Sequence, residues 1–198
     1  MIFQQKPLSD SYTHRETKGF VKLAENLDIS DIIKEVKENT DLWDIHPFRR
    51  IAPNSPHAEM TDIWIRANTL DSVGKNWADI HYPVWYDAAN KLPSVKEFCS
   101  DLMYWLKGES LGHVMITKIP PGGKIGRHKD LAWHAQFFDK FYLQLQAKDG
   151  QTFSTDDHEF TSKMGDLYWL NNQRDHWVVN DSDVDRMTLI VCVKIEHD

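Results

Sequence analysis

The chain after Gly112 is a succession of short segments of strand character, separated by turn-forming residues. The turns are indicated by Pro120-Pro121-Gly122-Gly123, Lys148-Asp149-Gly150 and Asn180-Asp181-Ser182-Asp183. Many short strands at regular spacing are typical of a β-sandwich or a β-barrel. The predicted strands cover residues 113–119, 125–130, 141–147, 151–155, 166–170, 176–180 and 186–195.

The first half of the chain has a different pattern, which indicates helices with a few strands. Ile29, Ile32, Ile33 and Val36 recur at the spacing of one helix face, and Asp28 is the predicted N-cap. This helix has an apolar face to bury, so we expect it to cover one face of the strand-rich part.

A second helix is predicted over 94–107, where Ser94 and Glu97 form a capping box and Gly108 ends the helix. Strands are predicted at 19–23 and 61–67, and the proline-containing stretch 40–60 is predicted to be a loop.

These patterns together predict a β-rich α+β fold in a single domain, 1–198. Residues 1–110 would form a mixed helical and strand support layer, and residues 111–198 a jelly-roll core that carries the active site. Aromatic residues between Trp77 and Tyr86, and Trp133, are candidates for lining a cleft, although core packing is the favoured interpretation for most of them.

Composition narrows the possible partners and compartments. A formal net charge of −7 opposes non-specific attraction to phosphate backbones, so a nucleic-acid partner is unlikely. No leader pattern and no membrane-spanning apolar run is present, so we expect a cytoplasmic protein without a membrane partner. Cys99 and Cys192 lack a paired spacing and are predicted to be buried thiols.

Alternation along the predicted strands places polar side chains on the face that a jelly roll would turn inward. Arg186 and Thr188 share one face of their strand, opposite Leu189 and its apolar neighbours. Tyr142 similarly lies opposite the face that carries Leu143. An ordinary interior would be apolar, so this pattern favours a ligand-holding cavity.

His128, Asp130 and His176 form the candidate metal site. His128 and Asp130 are two residues apart, so both can face one ion from a strand end, and His176 would close the site from a distant strand. Two imidazoles and one carboxylate on one face suit non-haem Fe(II) with open coordination positions. A local set that uses His134 in place of His176 is a less favoured alternative.

Arg186 is the second candidate, because a buried guanidinium requires a paired anion. The far carboxylate of 2-oxoglutarate would satisfy it through a bidentate pair, with the Thr188 hydroxyl donating a further hydrogen bond. The alternative is a structural salt bridge from Arg186 to Asp183 or Asp185.

The stretch from about Leu111 to Ile195 resembles the aspartyl/asparaginyl β-hydroxylase-like branch of the Fe(II)/2-oxoglutarate dioxygenases. The resemblance implies a double-stranded β-helix core, iron bound by His128 and His176, and 2-oxoglutarate anchored by Arg186. The motifs that carry it are Pro121-Gly122, His128, Gly165, His176 with Asn180, and Arg186.

Other positions match this family less closely. Thr117 stands where the family uses a serine near 2-oxoglutarate, and Lys140 and Tyr142 stand where it often has an R-x-H pair. Asn171-Asn172 replace two acidic residues that are common there. The animal peptidyl aspartyl hydroxylase of this branch lacks the metal carboxylate that Asp130 supplies, so the resemblance to a peptidyl aspartyl substrate is weak.

We therefore predict an Fe(II)- and 2-oxoglutarate-dependent dioxygenase that hydroxylates an amino acid or a peptidyl side chain and yields succinate and CO2. The predicted iron ligands are His128, Asp130 and His176, and the predicted co-substrate contacts are Arg186, Thr188, Tyr142 and Thr117. Two alternatives stay open. One is a non-enzymatic sensor of a metal and a dicarboxylate, and the other is a cupin-like isomerase or hydrolase with another divalent metal.

Overall fold

The structure, a computed structural model, describes residues 2–3, 6–7, 18–72 and 82–197, so Trp77 and its neighbours up to residue 81 lie outside the described residues. Within them the helices are α1 (Ser30–Glu38), α2 (Ala88–Lys91), α3 (Pro93–Leu106) and α4 (Trp133–Phe137). The strands are β1 (Phe20–Ala24), β2 (Thr61–Asn68), β3 (Pro83–Trp85), β4 (Ser110–Ile119), β5 (Lys124–His128), β6 (Asp139–Gln146), β7 (Gln151–Thr155), β8 (Glu159–Phe160), β9 (Leu167–Leu170), β10 (His176–Asn180) and β11 (Arg186–Lys194).

The described strands form two antiparallel sheets. The large sheet has the order β1-β9-β6-β11-β4-β2-β3, and the small sheet has the order β5-β10-β7-β8. Residues on the facing sides of the two sheets line one cavity, which contains Tyr142 from β6 and Phe153 from β7. The predicted jelly roll is therefore confirmed.

The main hydrophobic core lies between the helices and the outer face of the large sheet. α1 contributes Ile32 and Val36, and α3 contributes Phe98 and Leu102. Leu189 of β11 and the other apolar residues of β6 and β11 pack against them, as strand alternation predicts. The helices thus occupy the outer face and leave the inner face of the large sheet for polar side chains.

The first part of the chain also supplies strands to this sandwich. β1 pairs with β9 and β2 pairs with β4, so both extend the large sheet on its two sides. β2 follows the predicted loop, in which the structure has one short 3-10 helix at Thr40–Leu42. The loop then reaches β5, an edge strand of the small sheet, where the Pro56 carbonyl accepts a hydrogen bond from the Gly126 N–H (2.9 Å).

The start of α3 differs from the prediction. The helix begins at Pro93, its N-cap Leu92 makes no side-chain cap, and no capping box forms. Ser94 instead donates its backbone N–H and its hydroxyl to the carboxylate of Glu35 on α1, with the hydroxyl at 2.6 Å. The predicted capping box would have paired the Ser94 N–H with the Glu97 side chain. The carboxylate of Glu35, on another helix, takes that role instead.

The short elements β3, β8, α2 and α4 were not predicted. Each spans five residues or fewer, which is too short for a periodic pattern to be recognised. Cys99 and Cys192 are buried free thiols, as predicted. No helix formed by the described residues has both the length and the apolar character needed to cross a bilayer.

Candidate active site

Two neighbouring strands of the small sheet bring His128, Asp130 and His176 together. His128 ends β5, His176 begins β10, and the two are register partners across that strand pair. Asp130 follows β5 by two residues, and its backbone N–H donates to the Asn172 carbonyl at 3.0 Å. One ligand atom from each of the three side chains lies within 4.8 Å of the others, which is the spacing of a possible metal site.

Backbone carbonyls fix the orientation of both imidazoles. The Nδ1 of His128 lies 2.7 Å from the Gly126 carbonyl, and the Nδ1 of His176 lies 2.9 Å from the Arg174 carbonyl. Since a carbonyl only accepts, each Nδ1 carries the proton and each Nε2 presents a lone pair. Those Nε2 atoms lie 3.7 and 3.9 Å from oxygens of Asp130. This is the tautomer that a metal-binding histidine requires.

The protonation states of the three groups also suit a cation. Burial lowers the pKa of His176 to about 4 and also lowers the pKa of His128, so both rings are neutral near pH 7. Burial would raise the pKa of Asp130, but the adjacent Lys140 ammonium outweighs burial and holds that pKa well below its usual range. Neutral imidazoles and an ionised carboxylate are the forms that bind a metal.

Arg186, the first residue of β11, is buried in the same cavity. One guanidinium nitrogen, Nη1, donates to the Thr188 hydroxyl at 2.7 Å, and the buried Nε has no hydrogen-bond partner in the part of the chain that the structure describes. Among the described residues no carboxylate forms an ion pair with Arg186, and burial lowers its pKa to about 10. The predicted alternative, a salt bridge to Asp183 or Asp185, is wrong for the described residues, because neither carboxylate pairs with Arg186 and Asp183 pairs with Lys148 instead.

An unpaired guanidinium in the interior fits an anionic ligand with a carboxylate end. Thr188 and Tyr142 line the cavity beside Arg186, as predicted. Burial raises the pKa of Tyr142 to about 12, so its hydroxyl stays protonated and able to donate. The cavity is contracted to about 20 Å³, so a dicarboxylate would have to displace side chains that line it.

Thr117 also lines this cavity, but its hydroxyl has protein partners that the sequence did not reveal. Its Oγ1 donates to Asp62 at 2.9 Å and accepts from Arg49 at 2.8 Å. Arg49 also forms a bidentate pair with Asp62, at 3.0 and 2.6 Å. The Thr117 hydroxyl therefore already donates its hydrogen bond to Asp62. The predicted contact between Thr117 and 2-oxoglutarate stays a prediction.

His57 is a second residue at the site that sequence reasoning missed. Its ring packs edge-on against His128, with centroids 4.8 Å apart, and its buried Nδ1 has no hydrogen-bond partner among the described residues. Arg49 and His57 come from the loop before β2. Their spacing carries no periodic signal, so only the folded chain reveals that this loop contributes to the site.

A second cavity, of about 240 Å³, opens on the Asp130 side of the cluster. Arg49, His57 and Lys140 line both cavities, so they stand between the two. Trp64, Met115 and His134 belong to the second cavity only. The alternative metal set with His134 is wrong for the described residues, because this ring stacks on His113, with centroids 3.8 Å apart, and is absent from the ligand cluster.

A comparison with known protein families identifies the family to which the chain belongs. The aspartyl/asparaginyl β-hydroxylase family matches residues 30–196. The chain belongs to this family. The predicted enzyme class, a hydroxylase, is thereby confirmed. No curated protein matches the sequence.

Several solved structures share the fold of this chain. A 2OG-Fe(II) oxygenase family oxidoreductase from Burkholderia pseudomallei is similar, with a TM-score of 0.60 at 14% identity over 96% of this chain and 92% of the other. A Pseudomonas putida prolyl-4-hydroxylase has a TM-score of 0.54 at 15% identity, over 93% and 96%.

A prolyl hydroxylase from Trichoplax adhaerens, solved with a peptide fragment of a hypoxia inducible factor, has a TM-score of 0.60 at 11% identity, over 93% and 87%. At such low identities these likenesses show the fold alone, which is the predicted double-stranded β-helix.

Proposed function

We propose that the chain hydroxylates an amino acid or a peptidyl side chain at a centre where His128, Asp130 and His176 hold Fe(II) and Arg186 anchors 2-oxoglutarate. One observation carries the assignment. A buried arginine without an ion-pair partner among the described residues lines the same cavity as two neutral imidazoles, and Asp130 completes a three-ligand cluster beside it. A structural arginine would have a carboxylate partner, and this cation instead suits a ligand from solution.

The side chains around Arg186 would orient the co-substrate. The Arg186 Nε offers a donor that none of the described residues uses, and the protonated Tyr142 hydroxyl offers another. Thr188 accepts from Arg186 and thereby fixes the guanidinium plane. When bound, Fe(II) with 2-oxoglutarate supplies the oxidation that adds one oxygen atom of O2 to a substrate C–H bond, with succinate and CO2 as the other products.

The second cavity is the proposed entrance for the substrate. It reaches Asp130, which the cavity around Arg186 does not, and its lining mixes apolar Met115 and Trp64 with the cations Arg49 and Lys140. Its volume of about 240 Å³ is smaller than that of sites for drug-sized ligands, which favours a single amino acid or a side chain. The cytoplasmic location stays a prediction.

Succinate formation tests the proposal without knowledge of the substrate. Wild-type protein incubated with Fe(II), O2 and 2-oxoglutarate is expected to form succinate, measured by NMR, faster than Asp130→Ala or His176→Ala. A matched control, Asp183→Ala on the surface, should retain the wild-type rate. Succinate formation by Asp130→Ala at the wild-type rate would refute the ligand assignment. A persistent blank for wild type with amino-acid and peptide substrates would favour the non-enzymatic alternative.

A further inference from the structure

Lys140 is the one cation that touches the proposed metal centre directly among the residues that the structure describes. It projects from β6, an inner strand of the large sheet, where its register partners are Cys192 and Leu170. Its ammonium bonds to the Oδ2 atom of Asp130, and the side chains of both residues are largely buried, with 13% and 16% exposure. The pair thus joins the large sheet to the end of β5 across the cavity.

The two oxygens of Asp130 are placed so that both face the imidazoles. Oδ1 lies 3.7 Å from the Nε2 of His128, and Oδ2 lies 3.9 Å from the Nε2 of His176. A carboxylate in this orientation is able to bind one cation through both oxygens. The Lys140 ammonium occupies Oδ2, whereas Oδ1 receives no hydrogen bond from the described residues.

We propose that Lys140 is a positioning residue that restricts Asp130 to one bond with the metal and so keeps a third coordination position open. This inference rests on the proposed function. A facial site of three ligand atoms leaves about three positions of an octahedron for the reactants. Chelation by both oxygens of Asp130 would reduce them to about two, enough for a chelating keto acid but not for O2 as well.

The positive charge of Lys140 beside Asp130 also affects how tightly the site binds a metal. The Lys140 ammonium repels a divalent cation, and it also stabilises Asp130 when no metal is bound. Removal of the ammonium should therefore strengthen metal binding, by about tenfold for a single charge some 5 Å from a divalent ion in water. Tighter metal binding combined with lower activity is the signature that distinguishes this role from a purely structural one.

The experiment compares Lys140→Met with wild type, each purified with Mn²⁺ so that Asp130 stays paired with a cation and the variant folds. The relaxation of solvent water protons by bound Mn²⁺ reports the number of exchangeable waters on the metal. We expect this number to fall by about a third in Lys140→Met. The Mn²⁺ dissociation constant should fall about tenfold. The rate of succinate formation with Fe(II) should fall about 10- to 100-fold, which is the loss typical when a residue that hydrogen-bonds to a metal ligand is removed.

Two further variants complete the design. Lys140→Arg retains a cation that is able to hold Oδ2, so its water count should match that of wild type. Lys148→Met removes an exposed lysine that pairs with Asp183 on the surface, and it should leave all three readouts unchanged.

Three outcomes would overturn the proposal. An unchanged water count and Mn²⁺ affinity in Lys140→Met, with only a lower melting temperature, would assign Lys140 a structural role. An unchanged water count with much weaker 2-oxoglutarate binding would make Lys140 a co-substrate anchor instead. A wild-type protein that binds no Mn²⁺ would refute the metal centre itself, which separates failure of the proposed function from failure of this inference.

Discussion

Arg186 illustrates how one residue can oppose stability while it serves binding. Its guanidinium is buried and has no carboxylate partner among the described residues. We predict that Arg186→Met makes the ligand-free protein more stable, by about 1–3 kcal/mol, because an uncompensated buried charge is replaced by an apolar side chain. Urea unfolding without ligand measures this change.

The same variant should bind 2-oxoglutarate at least about 30-fold more weakly, since loss of one partner of a buried charge pair costs about 2 kcal/mol or more. Calorimetric titration in the presence of Mn²⁺ measures this affinity. Arg50→Met, which removes a partly exposed arginine paired with Asp44, is the control and should alter neither property appreciably. A destabilised Arg186→Met protein would mean that the guanidinium has a stabilising partner.

Asp62 presents the opposite case of a buried charge that is fully paired. It accepts two bonds from Arg49 and one from Thr117, and it is 3% exposed. We predict that Asp62→Asn destabilises the protein by about 3 kcal/mol, because the Arg49 charge then stays buried without its anion. Equilibrium unfolding in urea measures the loss.

A double-mutant cycle separates the pair from the packing around it. Asp62→Asn combined with Arg49→Met should cost less than the sum of the two single changes, since the double variant buries no lone charge. Asp41→Asn, at an exposed ion pair with Lys91, should leave stability unchanged within error. Strict additivity of the two buried changes would show that the ion pair contributes nothing of its own.

At the scale of elements, Gly165 joins the start of β9 to the segment that leads into α1. Its φ is +83°, and a Cβ built there would lie 2.7 Å from the Leu27 carbonyl oxygen. The Leu27 N–H also donates to the Gly165 carbonyl at 3.0 Å, so the two backbones cannot separate without loss of that bond. Close approach, in addition to the positive φ, therefore requires glycine at this position.

Gly122 allows the two effects to be separated, because its φ is +75° and nothing lies within 4 Å of a built Cβ. We predict that Gly122→Ala costs about 1 kcal/mol from backbone strain alone. Gly165→Ala should cost about 3 kcal/mol, since it adds the clash and the lost hydrogen bond. Thermal unfolding of the two variants gives the comparison, and equal costs would contradict a role for close approach at Leu27.

The elements also show where sequence reasoning succeeds and where it stops. The strand that begins at Arg186 was predicted with its correct start and its correct inner and outer faces, because polar and apolar residues alternate over its first four residues. The capping box at Ser94 was wrong because Glu35, distant in sequence, outcompetes a local partner. Arg49 and His57 were missed at the site because no local pattern encodes which surface a loop crosses.

At the scale of the whole molecule, the proposed site is divided between the two sheets. The three proposed iron ligands belong to β5, the residues just after it and β10, all on the small-sheet side. The proposed co-substrate contacts Arg186, Thr188 and Tyr142 belong to β11 and β6 of the large sheet. A co-substrate that binds the metal at one end and Arg186 at the other would therefore link the sheets.

This division predicts that the ligands stabilise the protein in a fixed order. Mn²⁺ alone should raise the melting temperature, and 2-oxoglutarate should raise it further only when Mn²⁺ is present. A ligand at 100 times its dissociation constant adds about 2.7 kcal/mol, which corresponds to about 5–10 °C for a chain of this length. Arg186→Met should abolish only the second increment, whereas His176→Ala should abolish both. The opposite result would be that 2-oxoglutarate raises the melting temperature of wild type equally with and without metal. Arg186 would then bind the dicarboxylate independently, and the metal would not complete the link between the sheets.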